Sequence, residues 1–188
     1  ADLTLRAVRY RLKRLGMEPP SFVLADIGGG STELIVVSEG SAGSVSLDAG
    51  IVTLSEGVTD EACLIDRIAD FKKAVDASLP RKTSVLVLTA GTPTTIAAYR
   101  CGMDYETYDP ERVNGMTLRL DECYRVYEEL LAMEENDRIR YVGVGREHLI
   151  IAGILMVTAI YEAMGCEEAI IVDDGLREGI ALEYYAKS

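Results

Sequence analysis

The hydrophobic pattern of the first fifty residues predicts one helix followed by three short strands. Apolar residues recur at helical spacing over residues 2–15, and Gly16 ends that helix. Two β-rich runs, 22–27 and 33–37, flank a corner of three glycines, and a third strand is expected at about 44–48. Because short turns join these strands, we expect an antiparallel meander.

The rest of the chain alternates helical periodicity with short, fully apolar runs. The predicted elements are a helix from an N-cap at Thr59 or Asp60 to Leu79, a strand at 85–90 that leads into a helix with Pro93 in its first turn, an irregular insert at 103–120, a helix from an Asp121 cap to about Met133, an apolar central helix at 147–164, a strand at 169–173 and a closing helix from Gly175. This order predicts one α/β domain over residues 1–188, with a mixed five-stranded sheet and helices on both faces.

Composition and charge narrow the class of protein. The 188 residues are 48% hydrophobic and 27% charged, which is typical of a folded chain and excludes a disordered one. The four cysteines form no CxxC pair, and no apolar run is long enough for a bilayer. Because residues 1–16 are basic throughout and lack an apolar core, we expect no signal peptide. We therefore expect a cytoplasmic protein with no disulfide framework, no zinc site and no membrane partner. The net charge of −12 predicts no nucleic-acid partner.

One segment is most indicative of chemistry. It comprises, in order, Asp26, Ile27, Gly28, Gly29, Gly30, Ser31, Thr32 and Glu33. Glycines let backbone N–H groups crowd around a phosphate and adopt positive φ, while Ser31 and Thr32 can donate to phosphate oxygens. Asp26 and Glu33 are candidates to hold Mg²⁺ or to orient a water, since hard cations prefer carboxylate oxygens. The alternative is a glycine-rich hairpin with two solvated acids. A dinucleotide-binding loop fits less well, because its glycines open a helix and a strand follows here.

A second phosphate-binding turn is predicted at residues 89–92, between a buried strand and the start of a helix. Free N–H groups and the helix dipole make such a junction attractive to anions, so Gly91 and Thr92 are candidate phosphate ligands. The single histidine, His148, is expected to pack or cap at the start of a buried helix rather than to catalyse. The Asp173–Asp174 pair is left open between a helix N-cap and a functional role.

Four segments together resemble a known family. ADIGGGSTEL, LTAGTPTTIAA, REHLIIAGILM and VDDGLREGIALEY, in this order and spacing, are similar to the exopolyphosphatase/guanosine pentaphosphate phosphatase family. That family belongs with actin, heat-shock chaperones and sugar kinases, so the resemblance implies a ribonuclease-H-like fold. It also implies that Asp26 and Glu33 handle a metal and the attacking water, that residues 28–31 hold the terminal phosphate, and that Gly91 and Thr92 face that site. The implied activity is Mg²⁺-dependent removal of a phosphate from inorganic polyphosphate or guanosine pentaphosphate.

The resemblance also implies partners for this chain. The family's active site lies between two such domains, and this chain resembles the second. A first domain of the same protein, with its own phosphate loop and a catalytic glutamate just upstream of Ala1, is therefore an expected partner, and the isolated chain is expected to be inactive. The alternative function is a regulatory domain that binds a nucleotide or alarmone without turnover. A homodimer is left open. The basic residues of the first helix have three interpretations, namely a solvated face, an interdomain surface or a track for polyphosphate. These residues are Arg6, Arg9, Arg11, Lys13 and Arg14.

Overall fold

Six strands form one mixed sheet in the computed structural model, which describes residues 1–79 and 85–186. The strands are β1 (Phe22–Ile27), β2 (Thr32–Ser38), β3 (Ser41–Leu47), β4 (Leu86–Thr89), β5 (Thr117–Arg119) and β6 (Glu168–Ile171). Their order across the sheet is β3-β2-β1-β4-β6-β5. The β1–β4 and β4–β6 pairs are parallel, and the other neighbouring pairs are antiparallel. The predicted meander followed by parallel units is confirmed.

Helices cover both faces of this sheet, as predicted. In the described part of the chain they are α1 (Asp2–Arg14), α2 (Ile51–Ser55), α3 (Glu61–Ser78), α4 (Gly91–Arg100), α5 (Pro110–Val113), α6 (Leu120–Ala132), α7 (Glu135–Val142), α8 (Ile150–Met164) and α9 (Leu176–Ala186). One face packs against α1 through Val8 and Leu12, and α9 lies alongside α1. The other face carries the larger core, in which α8 is the central helix and contacts α3, α4 and α6. Among the described residues, no helix is both long and apolar enough to cross a bilayer.

The predicted strand count was wrong by one. The sixth strand, β5, lies in the segment 103–120 that was predicted to be irregular. It has three residues, of which only the central Leu118 is buried, so it is too short to show a period of two. The helices α2 and α5 were also missed, because their five and four residues are too few to show a helical period.

Two predicted boundaries also change. The residue at the N-cap of α6 is Arg119, whose backbone N–H donates to the Glu122 carboxylate at 2.9 Å, so Asp121 lies inside the first turn rather than capping it. The third strand begins at Ser41, three residues earlier than expected, because β3 pairs with β2 along its whole length.

Alternation along β1 places the candidate acid Asp26 relative to the helices. Phe22 and Leu24 point to the α1 face, whereas Ala25 and Ile27 point into the larger core. Since side chains alternate between faces of a strand, Asp26 lies on the α1 face, at the carboxyl end of β1.

Gly179 allows α1 and α9 to touch backbone to backbone. A Cβ atom built at Gly179 would lie 2.1 Å from the carbonyl oxygen of Leu3, a distance that no side chain tolerates. This glycine ends the GLREG segment and explains why that position cannot carry a side chain. The contact fixes the first turn of α1 against α9, close to the end of β1.

Candidate active site

The two candidate carboxylates lie directly opposite each other. In the antiparallel β1–β2 pair, Asp26 is the register partner of Glu33, and directly opposed Cβ atoms are about 4.5–5.5 Å apart in such pairs. The Glu33 carboxylate accepts hydrogen bonds from the hydroxyls of Ser31 at 2.7 Å and Ser46 at 3.1 Å. Two donors on one oxygen fix the orientation of Glu33.

Asp26 is in a different environment from Glu33. Burial raises the pKa of its carboxyl, the hydroxyl of Thr4 on α1 acts in the opposite direction, and the nearby charge of Glu33 raises the pKa further. A divalent cation would relieve both the burial cost and the repulsion between the two acids. Two converging carboxylates are the oxygen donors that Mg²⁺ prefers, so this pair fits the ion that the sequence predicts.

The turn between these strands is tight and built from glycine. The N–H of Gly28 donates to the carbonyl of Ser31 at 2.9 Å, which leaves Gly29 and Gly30 at the exposed tip. Contrary to the prediction, none of the three glycines has a positive φ. A Cβ at Gly30 would meet nothing within 4 Å, so glycine here keeps the approach to the backbone open rather than allowing a special conformation.

The N-terminus of α2 holds this turn from behind. Ile51 donates its N–H to the carbonyl of Gly28 at 3.0 Å, and Val52 donates to the carbonyl of Gly29 at 2.8 Å. A Cβ at Gly50 would lie 2.4 Å from the backbone of Gly29, so this contact requires a glycine that sequence analysis missed. Within the described residues, no backbone carbonyl accepts from the N–H groups of Gly29 or Gly30. The turn therefore has its carbonyls engaged and these amide donors available.

The two hydroxyls of the segment have hydrogen-bond partners within the protein. Thr32 is fully buried and donates to the carbonyl of Ala49 at 2.7 Å, so the predicted hydrogen bond from its hydroxyl to a phosphate is corrected to a structural one. The Ser31 hydroxyl donates to Glu33, as described above. Of the pair, only Ser31 contacts a candidate catalytic side chain.

The second predicted turn lies beside the first. Thr89 is the parallel register partner of Asp26, so the turn after β4 and the glycine turn meet at one edge of the sheet. Ala90 has a φ of +83° and is the one non-glycine residue in residues 1–79 and 85–186 with a positive φ. Such a conformation costs on the order of 1–3 kcal/mol and is concentrated at functional sites. Sequence analysis gave no role to Ala90.

The two predicted ligands of this second turn differ in exposure. Gly91 is exposed at the first position of α4, where backbone N–H groups have no partner within the helix. Thr92 is only 4% exposed and packs against Gly153 of α8, where a Cβ would lie 2.6 Å from the Thr92 hydroxyl. Thr92 can therefore offer its backbone N–H to an anion, but its hydroxyl faces the core.

Two adjoining cavities lie between the turns, and together they form the cleft of the candidate site. Their volumes are about 740 Å³ and 360 Å³, and the larger one is lined by Asp26 and Glu33. The two cavities share five of their lining residues, which are Gly28, Ala90, Gly91, Thr95 and Arg146. The exposed Arg146 places a positive charge beside the second turn, because a Cβ at Gly91 would be 3.8 Å from its guanidinium. Arg146 lies in the REHLIIAGILM segment, which is the only signal that could have pointed to it.

The aspartates before α9 have separate environments. Asp173 lines the larger cavity, and burial raises the pKa of its carboxyl. Asp174 forms an ion pair with Arg11 of α1. The Arg11 guanidinium donates to both carboxylate oxygens, and the bond from its Nη2 atom is 3.2 Å long. Gly175 directly precedes α9, and its N–H donates to Glu178 at 2.8 Å. Neither aspartate occupies the N-cap position, and Asp173 is an additional acid in the cleft.

Ion pairs account for part of the basic cluster on α1. Arg9 pairs with Glu18 at 2.8 Å, and Arg11 pairs with both Asp174 and Glu111. These pairs engage two of the five basic residues with acids of the same chain.

His148 was predicted to pack or to cap the start of the central helix. It is exposed, and the N-cap of α8 is Leu149, so neither role is found.

The fold and the site together define a class of protein. This sheet order, with helices on both faces and two opposed acids at the end of the central hairpin, is the ribonuclease-H-like α/β fold of actin and the heat-shock chaperones, shared with the solved Ppx/GppA structures. The chain belongs to the Ppx/GppA phosphatase family, whose model matches residues 1–188. The predicted fold class and family are therefore confirmed.

Individual relatives agree with this assignment. Exopolyphosphatase 2 of Mycobacterium tuberculosis is 28% identical over 203 residues, which cover 97% of this chain and 60% of that protein. The crystal structure of the type II variant of the Aquifex aeolicus Ppx/GppA phosphatase is 26% identical, with a TM-score of 0.82, and the match covers 96% of this chain and 61% of that one. An exopolyphosphatase structure from Cytophaga hutchinsonii has a TM-score of 0.74 at 19% identity, over 99% of this chain and 62% of that one, and shows the fold alone. The chain spans about 60% of the length of the curated relatives it matches.

Proposed function

We propose that this chain is the second domain of a Mg²⁺-dependent phosphohydrolase, which removes a terminal phosphate from inorganic polyphosphate or guanosine pentaphosphate. The observation that carries the proposal is the pair Asp26 and Glu33, which face each other beside a turn with available amide donors. Membership of the Ppx/GppA phosphatase family and the names of its relatives support the same activity.

In this proposal the terminal phosphoryl group lies between the two turns. The N–H groups of Gly29 and Gly30 on one side, and those at the start of α4 on the other, donate to its equatorial oxygens. Arg146 adds a positive charge at the same edge. Donors that are already in place stabilise the charge that develops in the transition state without reorganising.

The two acids act on the attacking water. Glu33, held by Ser31 and Ser46, orients the water in line with the phosphorus and the bond that breaks. The proton of that water passes to the upstream glutamate that the family resemblance implies, and the shortened phosphate chain leaves. When bound to Asp26 and Glu33, Mg²⁺ would supply positive charge against the phosphate oxygens.

The same proposal makes the isolated chain a poor catalyst. The cleft holds one of the two phosphate loops expected for the family, so a phosphate bound here remains in contact with water. Donor dipoles lose most of their advantage in a high dielectric. Binding should survive better than turnover and should weaken with salt, because a chain of net charge −12 attracts a polyanion only through local donors and cations.

The test measures phosphate release from polyphosphate and from guanosine pentaphosphate, with Mg²⁺ and again with a chelator. The chain is assayed alone and with the first domain supplied in trans. We expect release only with both the first domain and Mg²⁺. Turnover by the chain alone would overturn the half-site proposal. If the chain binds nucleotide tightly but no phosphate is released in any arm, the function is that of a regulatory domain rather than of an enzyme.

A further inference from the structure

Three potential metal ligands meet at a second place, where α7 is joined to α8. Glu135 is the first residue of α7, and Glu147 and His148 lie in the segment before α8. The ligand atoms of the three side chains all lie within 4.8 Å of one another. None of the three lines either cavity of the candidate active site. This cluster therefore needs an explanation of its own.

One oxygen of Glu147 is buried without a partner. Its Oε2 atom accepts no hydrogen bond from any of the described residues. A buried carboxylate oxygen with no donor is costly, and a cation held between the three side chains would compensate it.

We propose that Glu135, Glu147 and His148 bind a divalent transition-metal ion, with Zn²⁺ as the best match. An imidazole nitrogen together with carboxylate oxygens suits Zn²⁺ and its neighbours, whereas Mg²⁺ and Ca²⁺ favour sets made of oxygen alone. The exposed sides of Glu135 and His148 leave room for water as a further ligand. The expectation of no zinc site rested on the spacing of the cysteines, so it does not apply to a site made of glutamate and histidine.

Much of this site is organised by protein contacts. Arg138 of α7 donates to the backbone carbonyl of Glu147 at 3.1 Å and to that of Met133 at 3.3 Å. These bonds hold the segment after α7 against the segment before it. Ligands of tetrahedral Zn²⁺, at about 2.0–2.2 Å from the ion, are about 3.4 Å apart, so the side-chain atoms need to move by on the order of 1 Å. The exposed side chains of Glu135 and His148 can make that movement.

The ion would also restrict the segment that carries Arg146. Between the ligands the backbone passes through Gly143 and Gly145, which have φ values of +83° and +81°. Glycine accepts these positive φ values, so the backbone can turn between the ligands. Arg146 is the neighbour of Glu147 and lines both cavities of the cleft. Metal binding at this site would therefore fix the backbone next to the cleft arginine.

The experiment uses the chelator-treated protein and Zn²⁺, with calorimetry, thermal unfolding and the visible spectrum of bound Co²⁺ as readouts. We expect one ion per chain, and a rise in Tm of about 5 °C at a free Zn²⁺ concentration of about 100 times Kd. Excess Mg²⁺ should not compete. His148→Gln should weaken Zn²⁺ binding at least about tenfold, in line with the loss of one ligand. Glu134→Gln, which changes the neighbouring exposed acid, should leave binding unchanged.

Two further variants make the result decisive. Glu147→Gln should likewise reduce the Tm rise, and circular dichroism checks that it folds. A double variant, Asp26→Asn with Glu33→Gln, should retain Zn²⁺ binding, because the two sites share no ligand. The proposal is overturned if Zn²⁺ does not bind, if His148→Gln binds Zn²⁺ as tightly as the wild type, or if only the double variant loses binding. None of these readouts depends on phosphatase activity.

Discussion

The two turns that border the cleft present backbone donors by opposite means. The turn at residues 28–31 has ordinary φ values and is held from behind by the N-terminus of α2. The turn after β4 depends on Ala90, which adopts a conformation that favours glycine. In the first turn, glycines are present where the backbone conformation does not need them. In the second, the conformation that glycine favours is taken by alanine. Glycine count alone is therefore a poor guide to where a backbone is strained.

The largest expected difference between the two turns is chemical, since a candidate catalytic acid, Glu33, follows the first turn and none follows the second. We expect Glu33→Gln to lower kcat by on the order of 10²-fold or more while the fold survives, because positioned acid–base groups contribute about that much. Steady-state phosphate release by the two-domain protein measures the effect. Glu39→Gln, in the exposed turn between β2 and β3, is the matched control. Wild-type turnover of the Glu33 variant would remove this residue from the mechanism.

The next effect tests how the first turn is supported. Gly50→Ala places a Cβ where the backbone of Gly29 lies, at 2.4 Å, so the turn or α2 must move. We expect binding of a short polyphosphate to weaken about tenfold or more, with a loss of stability of about 1–3 kcal/mol from overpacking. Gly43→Ala is the control, since nothing lies within 4 Å of a Cβ there. Calorimetry and thermal unfolding report the two quantities, and equal affinity in both variants would contradict the support by α2.

A smaller effect tests the strain in the second turn. Ala90→Gly should stabilise the fold by on the order of 1 kcal/mol, because glycine accepts the positive φ without strain. Ala97→Gly, in the middle of α4, should destabilise it by about the same amount. Chemical denaturation of the two variants measures both changes. Changes of the same sign would show that Ala90 is not strained.

The smallest effect depends on pH and concerns Asp26. Burial raises the pKa of this carboxyl, so the folded state binds its proton more tightly than the unfolded chain does. The ionised form therefore costs stability above that pKa. We expect Asp26→Asn to unfold at a higher Tm than wild type at pH 7, with the difference shrinking as the pH falls towards the ordinary aspartate value. Thermal unfolding across pH checks this, and a difference that grows on acidification would contradict it.

The sequence was sufficient to predict the central hairpin and its acids. Asp26 and Glu33 are symmetric about a four-residue turn, so an antiparallel pair must place them opposite each other. Other features depend on contacts between distant segments. The Thr32 hydroxyl turns towards Ala49, which follows a whole strand later, and local pattern cannot show such a partner. Arg146 reaches the cleft only because α8 packs beside α4. Short elements such as β5 carry too few residues for a period to be read.

The contact between Gly179 and Leu3 has a consequence for how the protein matures. During synthesis α1 leaves the ribosome before α9, because α9 is the last of the described elements along this chain. The first turn of α1, which carries Thr4 beside Asp26, can be locked against α9 only after Gly179 has left the ribosome. The environment of Asp26 is therefore completed only after α9 has been synthesised. A nascent chain that has formed the glycine turn but lacks α9 does not yet have the finished acid pair.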